Sequence, residues 1–212
     1  ARRGVSQNVG SFLGNGTVRV YGKGGAMGPS SGVEIDTMQA MVRRAMQDGA
    51  FGIASALIYP PNTYASTEEL IAVNKATAPY GGVYITHMRS EGDKFLEAMD
   101  EAIRIGREAN VPVEIYHLKA SGVRNWPKMN LAIAKIDSAR AAGQDVQADM
   151  YLYPAGGNSF ASCIPPKYAA EGKLLDNLKN PALRATMLQE IEARAAGYEN
   201  LCEIATPANV MV

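Results

Sequence analysis

A chain of 212 residues with 47% hydrophobic residues is long and apolar enough for one globular domain with a large core, and its composition excludes disordered and collagen-like chains. The 21 basic and 21 acidic side chains cancel without forming a basic run, so we expect neither a nucleic acid nor a membrane surface as partner. No stretch of the sequence approaches the roughly 20 apolar residues that a membrane-spanning helix requires.

The first predicted elements are a strand, a loop and a helix. Val5 to Leu13 mixes apolar alternation with β-forming residues and predicts a strand that ends at a tight loop, Gly14-Asn15-Gly16. Residues 22 to 32 hold five glycines and a proline, which favours a mobile or ligand-covering loop. Glu34 to Asp48 has apolar residues at three- and four-residue steps and predicts a helix whose methionines belong to the core rather than to a cofactor site.

A second strand and helix follow. Phe51 to Ile58 is a nearly continuous apolar run that predicts a strand covered on both faces, and it ends at Tyr59-Pro60-Pro61 because proline cannot extend a ladder. Residues 66 to 78 predict a helix that opens with a capping box. In that motif the Ser66 hydroxyl accepts from the Glu69 amide while the glutamate side chain reaches back.

The same alternation continues to residue 153. Predicted strands at Val83 to Thr86, Val111 to Tyr116 and Asp145 to Tyr153 are separated by predicted helices at Phe95 to Asn110 and Met129 to Ala142. Strands about 30 residues apart with a helix between them favour a parallel sheet, either an open doubly wound sheet or part of a (β/α)8 barrel. No GxGxxG motif or P-loop follows any of these strands, which weakens a nucleotide-binding function.

The pattern changes after residue 153. Residues 160 to 200 predict a helical insertion or lid, in which Asn180-Pro181 opens a helix that runs to Ala195. Residues 200 to 212 predict at most one short strand.

Two further features concern the state of the cysteines and the origin of the chain. Cys163 and Cys202 are too few for a disulfide framework, so we expect two reduced, partly buried thiols. The first residues carry neither an initiator methionine nor an apolar signal segment. We therefore expect an internal piece of a longer protein. Neither feature determines the compartment, for which we favour the cytoplasm.

The two histidines each follow a predicted strand. His87 comes after the run Val83 to Thr86 and His117 after the run Val111 to Tyr116, so neighbouring parallel strands would bring both imidazoles to the same edge of the sheet. Neutral imidazole is a common zinc ligand, but a catalytic zinc site usually takes at least three protein ligands. Carboxylates, a cysteine or residues outside this chain would have to supply the rest.

Each histidine is followed two residues later by a cation, Arg89 or Lys119. A cation at this place can bind a substrate carboxylate. The alternative for both is ordinary ion pairing with acids such as Glu91 and Asp93. Another use of Lys119 also stays open, as the amine of a Schiff-base lyase.

Several segments, in this order and spacing, carry a resemblance to a known family. They are FGIASALIYPPN (51–62), YGGVYITHMRSEGD (80–93), VPVEIYHLKASG (111–122), Asn125-Trp126, ADMYLYPAG (148–156) and Ile164-Pro165-Pro166. Together they resemble the middle of the N-acyl-D-amino-acid deacylases, the D-aminoacylase branch of the amidohydrolase superfamily. The resemblance implies an incomplete (β/α)8 TIM barrel of the metal-dependent hydrolase type, covering about strands three to seven within one domain of residues 1 to 212.

The resemblance also implies roles for individual residues. His87 would close the fifth strand of the barrel and His117 the sixth, both as zinc ligands. Lys119 would face the substrate carboxylate, Tyr151 would lie near the scissile acyl group, and Arg89 would orient the loop or the substrate. The implied reaction is zinc-dependent hydrolysis of the amide bond of an N-acyl-D-amino acid.

The sequence departs from the family pattern at the metal site itself. The His-x-His pair of the first strand, a bridging cysteine or other upstream ligand, and the catalytic aspartate after the eighth strand have no counterpart here. Leu118 replaces a second histidine often seen in the sixth-strand motif, and Asn15 lies in a loop where some members have histidine. We therefore expect little or no turnover by this chain alone, with a non-catalytic remnant or binding module as the alternative. We also expect a homo-oligomer that covers the exposed barrel edges.

Overall fold

A computed structural model describes residue 4, residues 6–193 and residues 197–210. Its centre is one parallel sheet of five strands that follow one another in chain order. The strands are β1 (Leu13–Gly14), β2 (Gly52–Ala56), β3 (Val83–His87), β4 (Val113–Ile115) and β5 (Val146–Ala148). The parallel arrangement predicted from the sequence is confirmed. Two predicted strands are longer than the observed ones, since β1 shares only Leu13 with the predicted Val5–Leu13 and β5 ends at Ala148 rather than at Tyr153. The strand order lacks the reversal that defines a doubly wound sheet.

In the described part of the chain, eight α-helices accompany the sheet. They are α1 (Asn15–Lys23), α2 (Gly32–Gln47), α3 (Thr67–Lys75), α4 (Phe95–Ala109), α5 (Met129–Ala141), α6 (Leu174–Lys179), α7 (Pro181–Glu192) and α8 (Leu201–Ala205). The helices α2 to α5 lie where the apolar periodicity predicts them. No helix among the described residues has both the length and the apolar character to cross a membrane.

The helices cover the sheet in two apolar clusters. In the larger one, Phe95, Met99 and Ile105 of α4 are fully buried together with side chains of β3, β4 and α5. In the smaller one, Met38 of α2 packs with Val18 of α1 and with side chains of β2 and α3. The methionines of α2 therefore lie in or against the core, as the sequence predicts.

The sequence prediction misses α1, because Asn15 begins a helix where a tight loop is expected. The helix is stabilised by a tertiary contact rather than by its own sequence. The guanidinium of Arg19 is fully buried, pairs with the Glu69 carboxylate of α3, and donates to the carbonyl of Gly28 at 2.7 Å. The glycine-rich loop, which we expect to be mobile or ligand-covering, is thus held by the buried Arg19 side chain. Lys23 adds a hydrogen bond from Nζ to the Pro29 carbonyl at 2.9 Å.

The buried ion pair of Arg19 and Glu69 also changes the predicted cap of α3. Ser66 accepts from the Glu69 amide at 3.1 Å, as expected for the start of α3. The Glu69 side chain does not reach back to complete a capping box, because its carboxylate is taken by Arg19. The complete capping box occurs instead at α2, between Ser31 and Glu34.

The region after β5 contains short helices, in line with the predicted insertion. Asn180 caps α7 through its side chain, and the predicted end of that helix at Ala195 lies outside the described residues. The tail forms α8 rather than a short strand, because the Asn200 side chain caps a helical turn by accepting from the Glu203 amide.

The prediction of two reduced thiols is wrong. Cys163 and Cys202 form a disulfide whose Cα atoms lie 5.3 Å apart. The two cysteines meet because α8 folds back onto the short 3-10 helix at Phe160–Cys163. Their sequence separation of 39 residues carries no local signal of this pairing.

Candidate metal centre

The two histidines meet at the carboxyl edge of β3 and β4. His87 is the last residue of β3, and His117 follows β4 by two residues. Nδ1 of His87 lies 3.1 Å from Nε2 of His117, and the ring centroids are 4.7 Å apart. The strand spacing in the sequence therefore places the imidazoles together, as expected.

This separation suits two nitrogen ligands of one metal ion. Nitrogens bound to a tetrahedral zinc ion at 2.0–2.1 Å lie about 3.3 Å from each other. Burial lowers the pKa of His87 to about 4, so its imidazole is neutral at pH 7, which is the form that binds metal. Nε2 of His87, the other nitrogen of that ring, is buried and has no hydrogen-bond partner among the described residues, so no contact fixes the His87 tautomer against metal binding.

Glu91 completes the cluster. Its side chain is 3% exposed, and its oxygens lie 2.9 Å from Nδ1 of His117 and 2.7 Å from Nζ of Lys119. Burial alone would raise the pKa of the Glu91 carboxyl, but the contacts with His117, His87 and Lys119 together hold it below its usual value. Possible ligand atoms of His87, Glu91 and His117 all lie within 4.8 Å of one another. A negative charge thus lies beside both imidazoles.

Sequence reasoning assigned Glu91 only a possible ion pair with a neighbouring cation. That pair exists, because Lys119 contacts Glu91. The additional contact with His117 depends on the turn between β3 and α4. This turn brings the Glu91 side chain next to the residues that follow β4. The only sequence signal for it is a carboxylate four residues after His87, in the loop that leaves β3.

Lys119 and Tyr151 lie next to the histidine pair. Nζ of Lys119 is 2.9 Å from Nδ1 of His117 and 5.5 Å from the centre of the Tyr151 ring. The Tyr151 ring lies 6.4 Å from the ring of His117. A cation and a phenol ring therefore flank the side of His117 that carries Nδ1.

Arg89 points away from this cluster. Its guanidinium donates to the Glu101 carboxylate of α4 and to the carbonyls of Thr63 and Ala65, at distances of 2.9 to 3.1 Å. It therefore ties the loop after β3 to α4 and to the segment before α3. Of the two roles implied for Arg89, this geometry fits the orientation of the loop, and contact with a substrate stays a prediction.

The backbone of His117 has an unusual conformation. Its φ of 38° lies in the left-handed region that a residue with a side chain seldom adopts. The carboxylate of Asp149 accepts the backbone N–H of His117, and the carbonyl of Asp149 accepts the N–H of Leu118 at 2.8 Å. The segment that leaves β5 thus holds the backbone from which the His117 imidazole projects.

The loop that carries Glu91 is held by the C-terminal segment. The carboxylate of Glu199 accepts the hydroxyl of Ser90 and the backbone N–H groups of Glu91 and Gly92, the latter two at 2.8 and 2.9 Å. Burial raises the pKa of the Glu199 carboxyl. A Cβ at position 92 would lie 2.8 Å from Cδ1 of Ile204, so a larger residue there would require the Ile204 side chain to move.

Comparison with known proteins identifies relatives over most of the chain. No protein-family model matches it. D-aminoacylase from Alcaligenes xylosoxydans xylosoxydans is 38% identical over 149 residues, which are 70% of this chain and 31% of that protein. N-acyl-D-glutamate deacylase from the same organism is 33% identical over 147 residues, which are 69% of this chain and 30% of that protein. The chain therefore spans less than a third of the length of these curated relatives.

Solved structures match the same part of the chain. A crystal structure of D-aminoacylase, which defines a novel subset of amidohydrolases, has a TM-score of 0.65 and 41% identity over 68% of this chain and 30% of its own. N-acyl-D-glutamate deacylase from Bordetella bronchiseptica, complexed with zinc and a phosphonate inhibitor, has a TM-score of 0.67 and 29% identity over 69% of this chain. A structure that addresses the binuclear metal centre of D-aminoacylase gives a TM-score of 0.65.

Proposed function

Because the chain resembles part of the N-acyl-D-amino-acid deacylases over about 70% of its length, we propose that it contributes zinc ligands to a hydrolase of N-acyl-D-amino acids. The observation that carries the proposal is the pair of facing imidazole nitrogens of His87 and His117, 3.1 Å apart. The relatives are a D-aminoacylase and deacylases of N-acyl-D-glutamate and N-acyl-D-aspartate, and two of the matching solved structures concern zinc or a binuclear metal centre.

The proposed fold is an incomplete (β/α)8 barrel. Its five strands in chain order would be strands three to seven of the barrel, within one domain of residues 1 to 212. The helices between residues 160 and 200 would be an insertion or lid. In barrels of this type functional groups lie at the carboxyl ends of the strands, which is where both histidines, Lys119 and Tyr151 are found.

The proposed reaction is the attack of water on the acyl carbon of the substrate amide. The C–N bond breaks, and a carboxylate and a free D-amino acid are released. His87 and His117 would hold a zinc ion, which would supply a Lewis acid for the carbonyl and lower the pKa of water to about 7. Lys119 binds the α-carboxylate of the substrate, and Tyr151 lies beside the acyl group. Arg89 keeps the loop between β3 and α4 in place.

We expect the general base to be an aspartate supplied by a longer parent chain, so these 212 residues alone should show little turnover. The test is zinc content and hydrolysis of N-acetyl-D-amino acids, measured for this chain and for the product of its complete reading frame. The complete product should hydrolyse the D-substrate and lose this activity in His87→Ala, while the exposed variant Tyr80→Phe keeps it. A complete product without D-selective deacylation would contradict the proposed function. Turnover by the 212-residue chain that disappears in His87→Ala would contradict only its expected inactivity.

The structure does not favour a Schiff-base lyase. The amine of a Schiff-base lysine must be free to attack a carbonyl, whereas Nζ of Lys119 contacts the Glu91 carboxylate at 2.7 Å and the backbone carbonyl of His117 at 3.1 Å. Borohydride trapping of a carbonyl compound on Lys119 would show that this alternative is correct.

We further propose that the chain forms a homo-oligomer through its open sheet edges. Strands β1 and β5 are the outer strands of the sheet, and the apolar side chains that follow β5 are widely exposed, with Leu152 at 92% and Tyr153 at 78%. An unpaired strand edge next to apolar surface favours association. Light scattering at micromolar concentration should give the mass of at least a dimer, and the mass of a monomer would contradict the proposal.

A further inference from the structure

We propose that Glu91 is the positioning residue of the metal centre: it holds His117 in the tautomer that turns a free Nε2 towards the ion, and it holds Lys119 beside it. This inference rests on the proposed zinc site but not on the reaction catalysed there. Glu91 would act through His117 and Lys119 rather than by contact with the substrate.

The first argument concerns the proton on His117. A metal ion on Nε2 requires that Nδ1 carry the proton. Two groups lie close to Nδ1, Oε1 of Glu91 at 2.9 Å and Nζ of Lys119 at 2.9 Å. Only the carboxylate can accept the N–H, because an ammonium group offers donors and no acceptor. Glu91 therefore favours the metal-binding tautomer, whereas Lys119 favours the other one.

The second argument concerns the unused oxygen of Glu91. Oε1 has no hydrogen-bond partner among the described residues when Nδ1 accepts from Lys119. A buried acceptor without a donor destabilises the fold. A proton on Nδ1 of His117 gives Oε1 a donor and removes this destabilisation. Metal-bound histidines commonly donate their second ring N–H to a carboxylate in this way, which fixes the direction of the ring.

The third argument concerns the donors of Lys119. Its Nζ lies 2.7 Å from Oε2 of Glu91 and 3.1 Å from the backbone carbonyl of His117. Once Nδ1 of His117 is protonated, these two acceptors occupy two of the three ammonium N–H groups. The third is then available to a substrate carboxylate. One buried carboxylate thus prepares both the metal ligand and the proposed substrate-binding cation.

The test combines the tautomer of His117 with zinc affinity. In the 212-residue chain with ¹⁵N-labelled histidine, NMR should show the Nδ1–H form of His117. Glu91→Gln should shift it towards the Nε2–H form, because the glutamine amide can donate to Nδ1. Competition with a chromophoric chelator should show zinc affinity about 10- to 100-fold lower in this variant. Asp93→Asn is the matched control on the same loop, because Asp93 is exposed and pairs with Arg124, and it should change neither quantity.

The possible outcomes separate the two proposals. An unchanged tautomer or an unchanged zinc affinity in Glu91→Gln would overturn the role of Glu91. A loss greater than about 1000-fold with a changed cobalt(II) absorption spectrum would also overturn it, because Glu91 would then be a direct ligand. If the unchanged chain binds no zinc while the tautomer still follows Glu91, the positioning role stands and the zinc site fails. Should Glu91→Gln not fold, Glu91→Asp keeps the charge, withdraws the carboxylate by one methylene and should give the same tautomer shift.

Discussion

Nδ1 of His87 lies 3.1 Å from Nε2 of His117, although the two residues are 30 positions apart in the chain. Adjacent parallel strands create this contact, since Thr86 pairs with Ile115 in the sheet register. The contact places two ring nitrogens face to face in a partly buried site. Their environment leads to the first two predictions.

The stability of the fold should fall as the pH is lowered from about 6.5 towards 4. Burial lowers the pKa of His87 in the folded chain to about 4, while the unfolded chain keeps a value near 6.5. Between these values the unfolded state binds more protons, so its population grows as the pH falls. The expected loss attributable to His87 between pH 7 and pH 5 is about 2 kcal/mol. Urea denaturation of the wild type and of His87→Gln at both pH values measures it. Equal pH dependence in the two chains would show that His87 makes no such contribution.

Asp149 should matter for metal binding although its side chain contacts the backbone of His117 and not the imidazole. Its carboxylate accepts the backbone N–H of His117, whose φ is 38°. Asp149→Ala removes this acceptor and should lower the free energy of unfolding by about 0.5–1.5 kcal/mol, because the lost hydrogen bond is exposed to solvent. Zinc affinity should fall by about tenfold as the His117 ring loses its fixed direction. Asp145→Ala, at the other end of β5, is the control and should retain wild-type affinity. Equal zinc affinity in both variants would exclude a positioning effect of Asp149.

The disulfide should contribute strongly to stability. It joins Cys163 to Cys202 across 39 residues, and a loop of that length corresponds to about 4 kcal/mol of chain entropy in the unfolded state. Reductant should therefore lower the urea midpoint of the wild type. The double variant Cys163→Ser with Cys202→Ser should start at the lower midpoint and should not respond to reductant. Two titratable thiols in the untreated, unfolded chain would contradict the disulfide itself.

Breaking the buried ion pair of α1 and α3 should be costly. The side chains of Arg19 and Glu69 are 0% and 3% exposed. Arg19→Met leaves the Glu69 carboxylate buried without its cation and should lower the free energy of unfolding by about 3–5 kcal/mol. Arg19→Met combined with Glu69→Leu should cost less, since no unpaired charge remains. A double-mutant cycle by urea denaturation tests this, and additive effects would show that the pair is not coupled.

The strands and most helices could be predicted because their signals are local. Apolar runs mark β2 and β3, and three- and four-residue periodicity marks α2 and α4. The helix α1 could not be predicted, because its sequence contains glycine, threonine and valine and its stability depends on Arg19 reaching Glu69, 50 residues away. Intrinsic propensity is a weak guide where such a tertiary contact decides the local structure.

The candidate site likewise has one part that local sequence signals predict and another that depends on distant contacts. The pairing of His87 with His117 follows from strand spacing, which is regular in parallel βα units. The positions of Glu91 and Arg89 depend on one irregular turn, in which Glu91 faces the histidines and Arg89 faces Glu101. Sequence periodicity describes only regular helices and strands, so it does not predict that these two side chains point in different directions. The pairing of Cys163 with Cys202 is likewise set by distant elements.

The covalent bond between Cys163 and Cys202 makes a closed ring that contains α6, α7 and Glu199. A protease that cuts once within α6 or α7 would open the ring without separating its two ends. The stretch that bears Glu199 would remain tethered to the body of the protein through Cys202, close to the loop that it binds. Such a nicked molecule would migrate as one species without reductant and as two with it, while its carboxylate continued to hold the backbone of Glu91 in place.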